Sequence, residues 1–115
     1  MSTAESTILT RKEFEIFLMI YAAHVDYIYT AEEENYIKSI STPEDYNKMF
    51  ELFDNTNDYS CLKIILANKK DHFNSVTDKE YYFNLLKNVF EEDGDYTRIE
   101  KSFIDFFERI IDSPQ

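Results

Sequence analysis

Asp93-Gly94-Asp95-Tyr96-Thr97-Arg98-Ile99-Glu100 repeats the frame of an earlier stretch, Asp26-Tyr27-Ile28-Tyr29-Thr30-Ala31-Glu32-Glu33. Both follow Asp-x-x-Tyr-Thr-x-x-Glu, and the agreement continues as Tyr36, Ile37 and Ile40 align with Phe103, Ile104 and Phe107 at the same offset. Those apolar positions have helical spacing in both copies. In each, an apolar helix precedes the acidic elbow and an amphipathic helix follows it. The predicted fold is therefore all-α: one compact domain over residues 10–112, of about six helices, containing two pseudo-repeated helix-elbow-helix units.

Composition agrees with that class. A chain of 115 residues has volume for one packed core and no second lobe. It holds one Gly and two Pro against 43% apolar and 17% aromatic residues, so it can pack densely but lacks the residues that tight hairpins need. Twelve Lys and Arg against twenty-three Asp and Glu leave a net charge of -11, which repels nucleic acid and anionic lipid and favours cations or basic protein partners. An acidic, solvated surface that keeps a small protein soluble gives the same balance.

Cys61 is the one cysteine and lies in an apolar segment, as expected of a buried reduced thiol in the cytoplasm. Arg11-Lys12 followed by the apolar run Phe14 to Val25 has some features of an export signal. Glu13 and Glu15 interrupt it and polar residues precede it, so export is not expected. Its unbroken part, Ile16 to Ala23, is far short of the roughly twenty residues that span a bilayer.

Along the chain, residues 1–9 show no periodicity and are predicted to be a frayed lead-in. Phe14, Phe17, Leu18, Tyr21 and Val25 lie on one helical face, and Ile16, Met19, Ile20, Ala22 and Ala23 make the opposite face apolar too, which predicts a central, enclosed helix. Thr30 with Glu33 forms a capping box for a short helix ending near Ile40. Thr42-Pro43-Glu44-Asp45 starts the next, with Tyr46, Met49, Phe50 and Phe53 inward and a stop in the turn formers Asp54 to Asn57. Asp58 is expected to cap a helix burying Cys61, Leu62, Ile65 and Leu66. Thr77 and Glu80 supply another capping box, before a face of Tyr82, Leu85, Leu86, Val89 and Phe90. Thr97 and Glu100 open the last helix, in which Ile99, Phe103, Phe106, Phe107, Ile110 and Ile111 are expected to face the core.

The two Asp-x-x-hydrophobic-Thr-x-x-Glu elbows resemble the duplicated pattern of the TerB-like tellurite-resistance family, in which an Ala-Asp-Gly turn leads to Ser or Thr and then to Glu. The likeness extends over roughly residues 14 to 111 and is fullest at Asp93, Gly94, Thr97 and Glu100. Tyr27 stands where that family has Gly, and Val25 and Glu92 where it has Ala, so the first elbow is expected to turn differently. The resemblance implies an all-helical fold, an acidic patch that binds divalent cations, and a role in stress-response assemblies instead of catalysis.

Asp26, Glu33, Asp93 and Glu100 could supply four oxygen ligands to calcium or magnesium if the two halves pack about a pseudo-twofold axis, with Asp95 a fifth. Local roles account for the same residues: Glu33 and Glu100 as capping-box acids, Asp26 and Asp93 as turn formers. Other cation motifs fail. The twelfth residue from Asp54 is Ile65 where an EF-hand needs Glu, no Glu lies three residues before His24 or His72, and zinc would require more Cys or His. His24 is better placed as a helix-end residue than as a ligand.

No phosphate loop, nucleophile elbow or evident histidine-nucleophile pair is present, so no enzyme activity is expected. Surplus aromatics at Tyr21, Tyr59 and Tyr81 could line a groove or a dimer interface. Two functions follow from the sequence. One is a non-enzymatic TerB-like domain with a divalent cation, calcium or magnesium before others, at its elbows. The other is a protein-interaction module, homodimeric or not, whose elbows only start helices.

Overall fold

A helix without a polar stripe has to be wrapped by other elements. In the computed structural model, which describes residues 8–24, 30–73, 75–91 and 98–112, α1 (Arg11–Ala23) is that helix. Phe14, Ile16, Phe17, Leu18, Met19, Ile20, Ala22 and Ala23 are buried along its length. Its principal partners are α3 (Pro43–Asp54) and α6 (Val76–Glu91), while α2 (Ala31–Ser39) and α4 (Asp58–Ala67) close its other sides. α7 (Arg98–Asp112) lies against α6. The predicted all-α class and the six predicted helices are present, together with a single turn, α5 (Lys69–His72), and no strand among the described residues. None of these helices is long and apolar enough to cross a membrane.

Most helix starts follow the local signals. Thr30 caps α2 in a reciprocal capping box with Glu33, and α2 closes at Ile40. Thr42 accepts the Asp45 N–H with Pro43 in the first helical turn of α3. Thr10 and Glu13 form a capping box at α1 that has the same Thr-x-x-Glu signature as the others, though it was not among the predicted caps.

Two predicted caps are corrected. Asn57, not Asp58, caps α4, its Oδ1 accepting the Ser60 N–H at 2.8 Å. Ser75 takes the Asp78 N–H at 3.1 Å, so α6 starts at Val76 and Thr77 lies inside the helix. In both cases a short polar side chain ahead of the predicted cap starts the helix earlier, so the predicted cap falls within its first turn.

Two predicted faces also shift. In α4 the buried stripe is Cys61, Ile64 and Ile65, with Leu62 and Leu66 half-buried, because the stripe continues into the buried polar residue Asn68. In α7 the core takes Phe103, Ile104, Phe107 and Ile111, leaving Phe106 40% exposed. Cover from α6, with Tyr21 of α1 and Phe73, reaches only one stripe of that helix. Residues 25–29 and 92–97, which hold Val25 and most of both elbows, lie outside the described residues, as do the side chains of Ile99 and Ile110. The face predicted for α6 is buried at all five positions.

α1 and α6 run in the same direction. Near their starts, Arg11 Nη1 lies 3.5 Å from Asp78, and the Phe14 and Tyr82 rings meet edge to face at 5.4 Å. Near their ends, Tyr21 of α1 and Phe90 of α6 both pack on Phe103, at 5.8 and 6.2 Å. Helices α2 to α5 thus form the return path of a parallel crossover.

The predicted frayed lead-in is corrected at Leu9, which is buried. Its N–H donates to Asn68 Oδ1 at 2.8 Å, and its carbonyl accepts from His72 Nε2 at 3.1 Å. Asn68 also donates to the Ile64 carbonyl at 2.8 Å, and the His72 ring stacks on Phe14 at 4.7 Å. Both backbone groups of Leu9 are therefore satisfied away from water, as burial of a chain segment outside a helix requires.

Tyr82 is the opposite case. Its ring is fully buried, yet its hydroxyl has no hydrogen-bond partner among the described residues. Asn68→Ala should lower stability by about 1–3 kcal/mol, since it leaves the Leu9 N–H buried and unmet. Tyr82→Phe should be neutral or stabilising by up to about 1 kcal/mol, because the hydroxyl it removes contributes no bond. Urea unfolding of both variants checks the contrast.

Burial raises the hydroxyls of Tyr21 and Tyr82 to about 12 and the Cys61 thiol to about 11. A raised folded-state pKa contributes stability that is complete below the unfolded value and lost as pH rises through the folded one. Stability should therefore fall through the alkaline range up to about pH 12. Tyr82→Phe should make that fall shallower above pH about 10, which thermal melts across the range would show.

Candidate functional site

The elbows begin where α1 and α6 stop. At the end of α1, His24 turns back on its own helix. Its Nδ1–H donates to the Ile20 carbonyl at 2.7 Å, and its ring packs on Phe53 at 4.5 Å. This is the helix-end role predicted for it.

At the start of α2, the Glu33 N–H donates to Thr30 Oγ1 at 3.0 Å and the Thr30 N–H donates to Glu33 Oε1 at 3.1 Å. Glu33 is buried, with 1% of its surface exposed. The equivalent acid of α1 is in a different setting. Glu13 makes the same box with Thr10 but also receives Lys48 Nζ at 2.7 Å. The Lys48 hydrogen bond and the Thr10 amide hold its carboxyl below the usual range.

Of the five predicted metal ligands, Glu33 alone has a described side chain. Asp26, Asp93 and Asp95 lie outside the described residues, as does the Thr97 cap. Glu100 lies in the first turn of α7, with its side chain outside the description. Among the described residues no group of three or more His, Cys, Asp or Glu could hold a metal ion. What the described residues fix is the frame. The helices that precede the two elbows end beside a common residue, Phe103 of the helix that follows the second.

The surplus aromatics occupy three settings. Tyr21 is half-buried against Phe103. Tyr81 is 43% exposed, with the Arg11 guanidinium 5.3 Å from its ring centroid and the Tyr82 ring 5.3 Å away. Tyr59 is exposed on α4, with Lys63 Nζ 4.6 Å from its ring centroid.

The largest polar feature that sequence reading missed is the clasp of Asn68 and His72 on Leu9. Its partners are far apart in the chain, so no local spacing announces it. Comparison with protein-family models, with curated proteins and with solved structures returned no match.

Thr30→Ala should cost about 1 kcal/mol by removing the cap of α2. Glu33→Ala should cost more, about 1–3 kcal/mol, since it leaves the Thr30 amide without its acceptor. Glu33→Gln, whose amide oxygen can still accept that N–H, should fall between wild type and Glu33→Ala in chemical denaturation.

Proposed function

We propose that the chain is a non-enzymatic, acidic helical module of TerB-like type. It binds a divalent cation at its elbows and serves in a stress-response or regulatory assembly in the cytoplasm. The observation that carries this reading is the common direction of α1 and α6, whose last turns meet at Phe103. Elbows related by sequence then depart from neighbouring helix ends, as a shared cation would require. An antiparallel pair would have sent them to opposite ends.

Asp26, Glu33, Asp93, Asp95 and Glu100 offer oxygen donors only, a set suited to calcium or magnesium. Glu33 contributes one carboxylate to that set, and its Oε1 accepts the Thr30 N–H.

The Thr30–Glu33 capping box also favours a second reading. There the elbows only start helices, and the chain is a protein-interaction module, self-associating or not.

Calorimetric titration of the full chain with calcium, magnesium, manganese and zinc separates the two. The first reading expects heat and a rise in melting temperature at millimolar metal, worth about 2.7 kcal/mol at a hundredfold excess over Kd. Asp93→Asn and Glu100→Gln should abolish both responses. Absence of heat and of thermal shift for all four metals removes the cation and leaves the interaction module.

A further inference from the structure

An open groove of about 420 Å³ runs between the lead-in segment and α3. Its apolar surface comes from Ile8, Leu9, Met49 and Leu52. Ile8 is 65% exposed on the lead-in side and adjoins an anchored residue. The next residue, Leu9, has its N–H and carbonyl clasped by Asn68 and His72 in the interior. A chain segment that would otherwise be loose is thereby built into a standing wall, and a preformed wall lowers the ordering cost of binding.

Charge around the groove is predominantly negative. Lys48 on the rim is paired with Glu13 at 2.7 Å, and Glu44 and Asp45, in the first turn of α3, also act on it. Glu51, exposed on the lining of the groove, makes no ion pair among the described residues. Two acids and one base thus line the apolar floor, and two more acids of α3 lie within electrostatic reach of that base.

We infer that this groove docks a basic amphipathic segment of a partner protein. Its apolar side chains enter between Ile8 and Leu52, and its Lys or Arg side chains meet Glu51 and the acids of α3. Complementary charge selects this occupant. A chain of net charge -11 repels nucleic acid and anionic lipid, and a second copy would bring the same acids against themselves. None of the residues that line the groove belongs to either elbow, so the inference stands apart from the cation reading.

The test uses the full chain and a labelled two-heptad peptide of Leu and Lys. Two control peptides replace every Lys by Glu or every Leu by Ser. Fluorescence anisotropy should show binding of the Leu/Lys peptide alone, weakened by salt, with amide shifts in an NMR titration confined to Leu9 and residues 48–55. Glu51→Lys and Leu52→Asp should each weaken binding roughly tenfold. Glu80→Lys, the same charge change at an exposed site on α6, should not. Glu51 is exposed, so its variant should keep the wild-type circular dichroism and melting temperature whatever Leu52→Asp does.

The inference is overturned by any of four results. They are no binding of the Leu/Lys peptide, equal binding of the Leu-to-Ser peptide, equal weakening by Glu51→Lys and Glu80→Lys, or sedimentation of the chain alone as a dimer with this groove covered.

Discussion

Burial of α1 on all sides is the constraint from which the rest of the fold follows. A helix carrying Phe14, Phe17, Leu18 and Ile20 together with Ile16, Met19 and Ala22 has no face to turn to water, and every other long helix supplies part of its cover or lies on one that does. Its one buried acid, Glu15, is matched by Arg11 one turn earlier at 3.6 Å, and Arg11 in turn reaches Asp78 on α6. The start of the central helix is thus tied by charge to the start of its parallel neighbour. Apolar packing on Phe103 ties the two ends.

Much of this was legible because the signals are local. Thr30 and Glu33, or Thr42 and Pro43, declare a helix start within four residues, and the spacing of Tyr82, Leu85, Leu86, Val89 and Phe90 declares a buried face without knowledge of what covers it. Errors arose where an upstream polar residue opened the helix first, as Asn57 did ahead of Asp58, or where tertiary cover is narrower than the apolar stripe, as at Phe106. Leu9 was beyond local reasoning altogether. Its partners Asn68 and His72 lie 59 and 63 residues further along, and nothing in either neighbourhood points to the other.

The candidate site divides along the same line. That Glu33 would cap α2 is written in Thr30-x-x-Glu33. That its carboxylate would be nearly sealed from solvent, while Glu13 in an identical box pairs with an exposed lysine, depends on which helices pass overhead. Identical sequence signatures therefore give two acids of different character. The same holds for the aromatics: Tyr82 and Tyr81 are adjacent in sequence, yet one is fully enclosed and the other lies open beside Arg11.

The common direction of α1 and α6 has an electrostatic corollary. Each helix carries about half a negative charge at its carboxyl end, and here those two ends lie abreast instead of cancelling head to tail. Their potentials add there, and α7, which runs back along α6 from Phe90–Phe103 to Phe83–Phe107, brings the opposite partial charge of its amino end to the same pole.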